Sequence, residues 1–163
     1  MLAEIRIATI RDINAIQNIA YTTWPTAYKR IITSEQIEYM LEKMYSQDVL
    51  ENQFYEGIQF LVAEVDNEIV GFASYGLLQD NIYKLHKLYV NPDVQKSGAG
   101  KALLKEVLNK VIKLGGKQLE LQVNRKNKAV GFYEKMGFEI VKSEDFYFGE
   151  GFYMNDYVMS INL

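Results

Sequence analysis

The chain has no cysteine and a single histidine, His86. The first absence removes disulfides, thiolate metal sites and cysteine nucleophiles together. The second leaves too few imidazoles for a histidine metal cluster, so no metal is expected. Only 2 prolines interrupt 163 residues. No apolar run reaches the roughly 18 residues that a membrane helix needs, and Met1-Leu2-Ala3-Glu4-Ile5-Arg6 has no signal-peptide core. A cytoplasmic protein with no membrane partner is expected. Charge of one sign is missing too. With 18 basic and 21 acidic residues, net −3, no general affinity for nucleic acid is implied.

Aromatic residues are what the chain has in quantity: 12 Tyr and 8 Phe, crowded toward the C-terminal third. Core packing can use many of them, and so can a pocket for an amine.

The pattern of apolar residues predicts a strand over 2–8, then a helix opened by Thr9 or Arg11-Asp12, with Ile13, Ile16, Ile19 and Ala20 at helical spacing. That helix is expected to end near Trp24-Pro25, because the residue before proline disfavours the helical region. Thr33-Ser34-Glu35-Gln36 has the form of a capping box before a second helix with Ile37, Met40, Leu41 and Met44. A short amphipathic piece covers 48–55. Strands over 60–64 and 68–75 form a hairpin through Asp66-Asn67. Then come a strand over 82–90, a helix over 101–114 stopped by Gly115-Gly116, a strand over 118–123 and a helix over 126–136. A final pair of strands, 139–148 and 152–161, turns around Gly149-Glu150-Gly151. With no repeat or linker, the elements add to one mixed α/β (α+β) domain over 1–163.

The most informative stretch runs from Tyr89 to Phe138. Its loop, Gln95-Lys96-Ser97-Gly98-Ala99-Gly100-Lys101, follows a strand and opens an amphipathic helix. Glycines there let backbone N–H groups approach a ligand, and the helix points its positive dipole end at whatever the loop holds. The loop is too short for a Walker motif and lacks the three glycines and later acidic residue of a dinucleotide fingerprint. Another phosphate-bearing cofactor is indicated.

Gln95-x-x-Gly98-x-Gly100 after Leu88-Tyr89-Val90-Asn91-Pro92 resembles the acetyl-CoA loop of the GNAT N-acetyltransferase superfamily. Asn127-Lys128-Ala129-Val130-Gly131-Phe132-Tyr133-Glu134-Lys135-Met136-Gly137-Phe138 is similar to that family's other signature. The resemblance implies a mixed, mostly antiparallel sheet of about seven strands flanked by helices. Two adjacent parallel strands, 82–90 and 118–123, would splay so that the pantetheine of acetyl-CoA (CoA) lies between them. Its amides would bond to the free backbone of Leu88 and Val90, beside Tyr89, as an added strand does. Gln95, Lys96, Ser97, Gly98, Ala99, Gly100 and Lys101 would meet its phosphates, with Lys135 nearby and Asn127 on the pantetheine arm. Lys135 reads equally as a solvated helix lysine, and Asn127 as a cap.

Acetyl transfer to an amine needs a proton acceptor for the amine, donors for charge developing on the carbonyl, and an acid for the departing thiolate. The resemblance assigns the acid to Tyr133, otherwise a packed helix tyrosine. Lys84-Leu85-His86-Lys87-Leu88 alternates, which puts His86 with Lys84 and Leu88 on one strand face. Many relatives carry a glutamate near this point, and His86 takes its place as the candidate base, the only side chain that titrates near neutrality unperturbed. A histidine satisfied at the surface or in the core is the other reading.

For the acceptor, Trp24 and Tyr28 at the first helix's end, with Asp145, Tyr147 and Glu150 in the tail, combine aromatic faces with carboxylates. Asp156 also lies in that acidic tail. This resembles the polyamine-acetylating branch, which implies a small-molecule amine such as spermidine or spermine; an aromatic core with an acidic surface is the plainer reading. Two other functions stay open: acetylation of a protein N-terminus or lysine, and a non-catalytic acyl-CoA-binding module. The resemblance also allows a homodimer.

Overall fold

A computed structural model describes residues 2–163, the side chains of Gln95 and Lys96 excepted. Seven strands form one sheet: β1 (Glu4–Ile7), β2 (Gln59–Val65), β3 (Glu68–Gln79), β4 (Ile82–Val90), β5 (Gln118–Asn124), β6 (Glu139–Gly149) and β7 (Phe152–Asn162). Their order is β1-β2-β3-β4-β5-β7-β6, and every pairing is antiparallel except β4 with β5. The helices are α1 (Ile13–Ala27), α2 (Ser34–Tyr45), α3 (Gln47–Tyr55), α4 (Ala99–Lys113) and α5 (Ala129–Lys135).

Strand alternation sorts the core into two layers. On β2, Leu61 and Ala63 face the layer that α4 supplies with Leu103, Leu104, Val107 and Val111, where Tyr133 of α5 is also buried. Phe60 and Val62 face the opposite layer, built by α1 to α3 from Ile16, Trp24, Met40, Tyr45 and Leu50. The β2–β3 turn has both central residues left-handed, Asp66 at φ 52 and Asn67 at φ 67, which matches strand twist in a two-residue hairpin.

Several boundaries differ from the sequence expectation. Helix α1 passes through Pro25 to Ala27, and Tyr28 N–H still bonds to the Trp24 carbonyl at 2.9 Å. Tyr21, whose carbonyl loses its partner to the proline, is exposed, so water can serve it. Only half of the capping box forms: Thr33 Oγ1 accepts the Gln36 N–H at 3.1 Å, while the Gln36 side chain donates to the Tyr153 carbonyl at 2.7 Å. Helix α4 starts two residues early, at Ala99, because Gly98 (φ 79) already acts as the N-cap. Helix α5 is shorter than expected: Asn124 and Asn127 side chains accept the N–H groups of Lys126 and Ala129, each at 2.9 Å, and hold 124–128 as turns.

Two irregularities open the middle of the sheet. Pairing of β4 with β5 runs only from Ile82–Gln118 to Leu85–Leu121 and then stops. Just there β4 bulges, since Ser74 pairs with Lys87 and Tyr75 with Leu85, leaving His86 as the extra residue. The expected splay between these strands is thus present.

Candidate active site

The splay and the start of α4 border a groove of about 770 Å³. Leu88, Tyr89 and Val90 line it from β4, Gly98, Gly100 and Lys101 from the start of α4, and Asn127, Phe132 and Tyr133 from the opposite wall. Pairing with β5 ended at Leu85, so β4 backbone on that side lacks a sheet partner here. A Cβ built on Gly98 meets nothing within 4 Å, and its φ of 79 is costly for other residues. Gly100, by contrast, has ordinary helical backbone, and a Cβ there would sit 3.6 Å from Val90 Cγ2. Ala102 makes the first intrahelical bond, to Gly98, so the N–H groups of Gly100 and Lys101 have no helical acceptor. Lys29, Arg30, Lys126 and Lys128 add positive charge around the rim. Free N–H groups, a helix N-terminus and five cationic side chains fit the phosphates of CoA.

Some residues of the loop do other work. Ser97 Oγ accepts the Ala99 N–H at 3.3 Å, and Ala99 is fully buried against the α4 layer, so neither lines the groove. The side chains of Gln95 and Lys96 lie outside the described residues. Lys135 is exposed and away from the groove, because the side of α5 that carries it faces solvent. Lys29 and Arg30 went unrecognised in the sequence, where they read as the polar end of a helix.

Tyr133 is 7% exposed and packs edge-on against Phe132 and Phe138. Burial raises its pKa well beyond that of a free phenol, so the hydroxyl keeps its proton at any working pH. The Asn127 side chain splits its duties. Its oxygen caps Ala129, while Nδ2 donates to the Tyr28 hydroxyl at 3.4 Å.

A second cavity, of about 300 Å³, lies on the α1–α3 side of the gap. Tyr89 lines both spaces, and its hydroxyl is 3.3 Å from that of Tyr28, which lines the smaller one. Trp24 packs against Tyr28 with ring centroids 4.5 Å apart, the planes tilted by 35°, and forms part of the cavity wall. The polar lining comes from Lys84, His86 and Lys87 of β4, Gln122 and Asn124 of β5, Asp156 of β7, Gln53 of α3 and Lys43 of α2.

The bulge decides how β4 contributes. Strict alternation would put Lys84, His86 and Leu88 on one face. With the extra residue, Leu88 turns to the α4 layer while Lys87 enters the α1–α3 layer, against the rings of Tyr45 and Phe60. His86 stays exposed at the cavity edge; the surrounding protein, then the ammonium groups of Lys84 and Lys87, push its pKa down to about 4.

Asp156 is the one carboxylate among the described residues that line this cavity. It pairs in register with Asn124 at the open end of β5 and is 5% exposed, and Oδ1 has no hydrogen-bond partner. Burial pushes its pKa up to about 6, although Arg125 and Lys84 pull the other way. The acidic tail in the sequence included Asp156 but gave no reason to single it out; the strand register does.

Asp145, Tyr147 and Glu150 line neither cavity. Asp145 and Tyr147 occupy the outward positions of β6, where Asp145 pairs with Arg125 at 2.9 Å and Tyr147 is 59% exposed against Tyr153. Glu150 sits in the β6–β7 turn at φ 54. From this tail the cavity receives Phe148 and Met154 besides Asp156. Among the described residues, no group of three or more His, Asp or Glu side chains is placed to hold a metal ion. Among the same residues, no helix is long and apolar enough to cross a membrane.

Comparison with known proteins agrees with this geometry. Residues 29–160 match the model of the acetyltransferase (GNAT) domain. A spermidine N(1)-acetyltransferase of Thermoplasma acidophilum is 32% identical over 147 residues, covering 86% of this chain and 90% of the relative. An uncharacterized N-acetyltransferase of Mycobacterium tuberculosis H37Rv is 31% identical over 150 residues, covering 91% and 96%. Among solved structures, the PaiA N-acetyltransferase of T. acidophilum in complex with coenzyme A superposes with a TM-score of 0.86 at 30% identity, over 100% of both chains. Ard1 of Thermoplasma volcanium gives 0.80 at 22% identity, over 100% and 99%, a likeness of fold. The sheet gap, the free helix N-terminus and these matches lead to one assignment: the chain belongs to the GNAT family and is an acetyl-CoA-dependent N-acetyltransferase.

Proposed function

We propose that this enzyme acetylates a small primary amine bound in the 300 Å³ cavity, by direct transfer from the cofactor in the adjoining groove. The observation that carries this reading is the shared wall: Tyr89 borders both spaces and contacts the Tyr28 hydroxyl of the smaller one, so two ligands held there would meet without a covalent enzyme intermediate. When bound, acetyl-CoA supplies the thioester as acetyl donor. Asp156 takes the proton that makes the amine a nucleophile, since a carboxylate with a pKa near 6 is ionised at neutral pH yet basic enough to accept it. His86, at about 4, is the second candidate for that role and a weaker base. Tyr133 holds a proton on the groove side, where a leaving thiolate needs one.

A polyamine is the reference acceptor against which others are measured. It is supported by the name of the Thermoplasma spermidine N(1)-acetyltransferase, 32% identical, and by the aromatic wall of Trp24 and Tyr28 with the Asp156 carboxylate. Release of free CoA by the purified protein, measured across polyamines, monoamines and peptides, tests both levels of the proposal. Turnover of spermidine ahead of monoamines of similar length supports the polyamine. Turnover of peptide N-termini alone, or of no amine at all, overturns small-amine acetylation.

A further inference from the structure

The smaller cavity carries the wrong balance of charge for a polycation. Its walls hold three lysines, Lys43, Lys84 and Lys87, against one carboxylate, Asp156. Lys87 is the telling one. It is 5% exposed, and its ammonium donates to Gln53 Oε1 at 2.8 Å and lies 5.3 Å and 5.9 Å from the ring centres of Tyr45 and Phe60. The ion pairs among the described residues are Arg6 with Asp12 and Glu64, Arg125 with Asp145, and Lys142 with Glu144. Lys87 is in none of them.

An ammonium has three protons to donate, and buried charge without a counter-charge is costly. One amide oxygen and two ring faces leave Lys87 short of the anion that such burial calls for. Lys84 stands on the same strand and wall, near enough that its charge adds to burial in lowering the Lys87 pKa to about 8. Asp156, which lines the same cavity, has a buried oxygen with no donor. The site therefore has a buried ammonium, Lys87, outside every ion pair among the described residues, and a buried carboxylate oxygen, on Asp156, with no hydrogen-bond donor.

We infer that the acceptor is a small primary amine that also carries a carboxylate or phosphate, its amino group near Asp156 and its anionic group held by Lys87 and Lys84. The inference rests on the reading of this cavity as the acceptor site. A volume of about 300 Å³, at the low end for ligand sites, suits a compact amine–acid better than an extended chain. Spermidine would bring several positive charges to a wall that already has an excess of them.

The test compares matched amines with the full-length protein and acetyl-CoA: 4-aminobutyrate, butylamine and putrescine in one set, and phosphoethanolamine, ethanolamine and ethylenediamine in the other. The two sets separate carboxylate from phosphate. We expect kcat/KM for the anionic member of at least one set to exceed that of both companions by about 10- to 100-fold, the range of one charge-assisted hydrogen bond. Lys84→Gln and Lys87→Met should bring that ratio close to one, mainly through KM. Lys84 is half-buried, so its variant keeps the test intact if Lys87→Met fails to fold. Calorimetric binding of the same amines to the protein with CoA is measured alongside. An anionic amine that binds in a Lys84-dependent manner without turnover would leave this inference standing and remove acetyl transfer. Preference for putrescine or butylamine, or an unchanged ratio in the lysine variants, overturns it.

Discussion

Asp156→Asn should make the protein more stable and less active, and the gain in stability should depend on pH. The carboxyl group is covered by protein and has a folded pKa of about 6 against 3.8 for a free side chain. Because the folded state holds the proton more tightly, ionisation opposes folding. The penalty is absent below pH 3.8, grows between 3.8 and about 6, and is complete above that. The gap between those values corresponds to about 3 kcal/mol at full strength, and water in the cavity screens part of it. A stabilisation of about 1–2 kcal/mol above pH 7 is the working figure, or about 2–8 °C in Tm for a chain of this size. Asparagine keeps the shape and has nothing to ionise. Calorimetric melting of both proteins from pH 4 to 8 should show the difference opening through about pH 6. In the same variant kcat/KM should fall by about 10²–10⁴-fold with CoA affinity retained, as for removal of a general base. A stability difference that stays flat across this range would mean that the carboxyl is hydrated in the folded state. An unchanged rate would mean that it is not the base.

Most of the fold was legible because the sequence states it twice, in alternation and in turn chemistry. Phe60 to Ala63 alternates between the two layers, and Asp66-Asn67 supplies a turn with both residues left-handed. The cofactor side was legible too, because glycine spacing and an amphipathic helix start are local facts. The acceptor side was not. Lys87 enters the interior only because a bulge makes His86 an extra residue, and a bulge leaves no mark in the alternation of Lys84 to Leu88. Asp156 stands out only through its register with Asn124, where β5 has lost its β4 neighbour. Asp145 and Tyr147, which the composition of the tail favoured, fall on the outward positions of β6. Sequence gave the tail's chemistry without its direction.

Three further outcomes follow from the geometry. Gly98→Asp and Gly100→Asp should abolish calorimetric CoA binding with little change in circular dichroism, since both put a carboxylate where the free N–H groups of the α4 N-terminus face the groove. Undiminished affinity in both would remove the phosphates from this loop. For the base, His86→Ala should keep a rise in kcat/KM near pH 6, while Asp156→Asn should lose it; a profile in the parent enzyme that rises near pH 4 and is flat by pH 6 would return the role to His86. Tyr133→Phe preserves the packing against Phe132 and Phe138 and removes only the hydroxyl, so the fold should persist and kcat should drop by about 10²–10⁴-fold with little change in the KM for acetyl-CoA. Its buried phenol does not ionise in the working range, so the deficit should be the same at pH 6 and pH 9. A rate within about twofold of the parent enzyme would reduce Tyr133 to a packing residue, or show that product release rather than chemistry limits turnover, and a burst of CoA in the first turnover distinguishes the two.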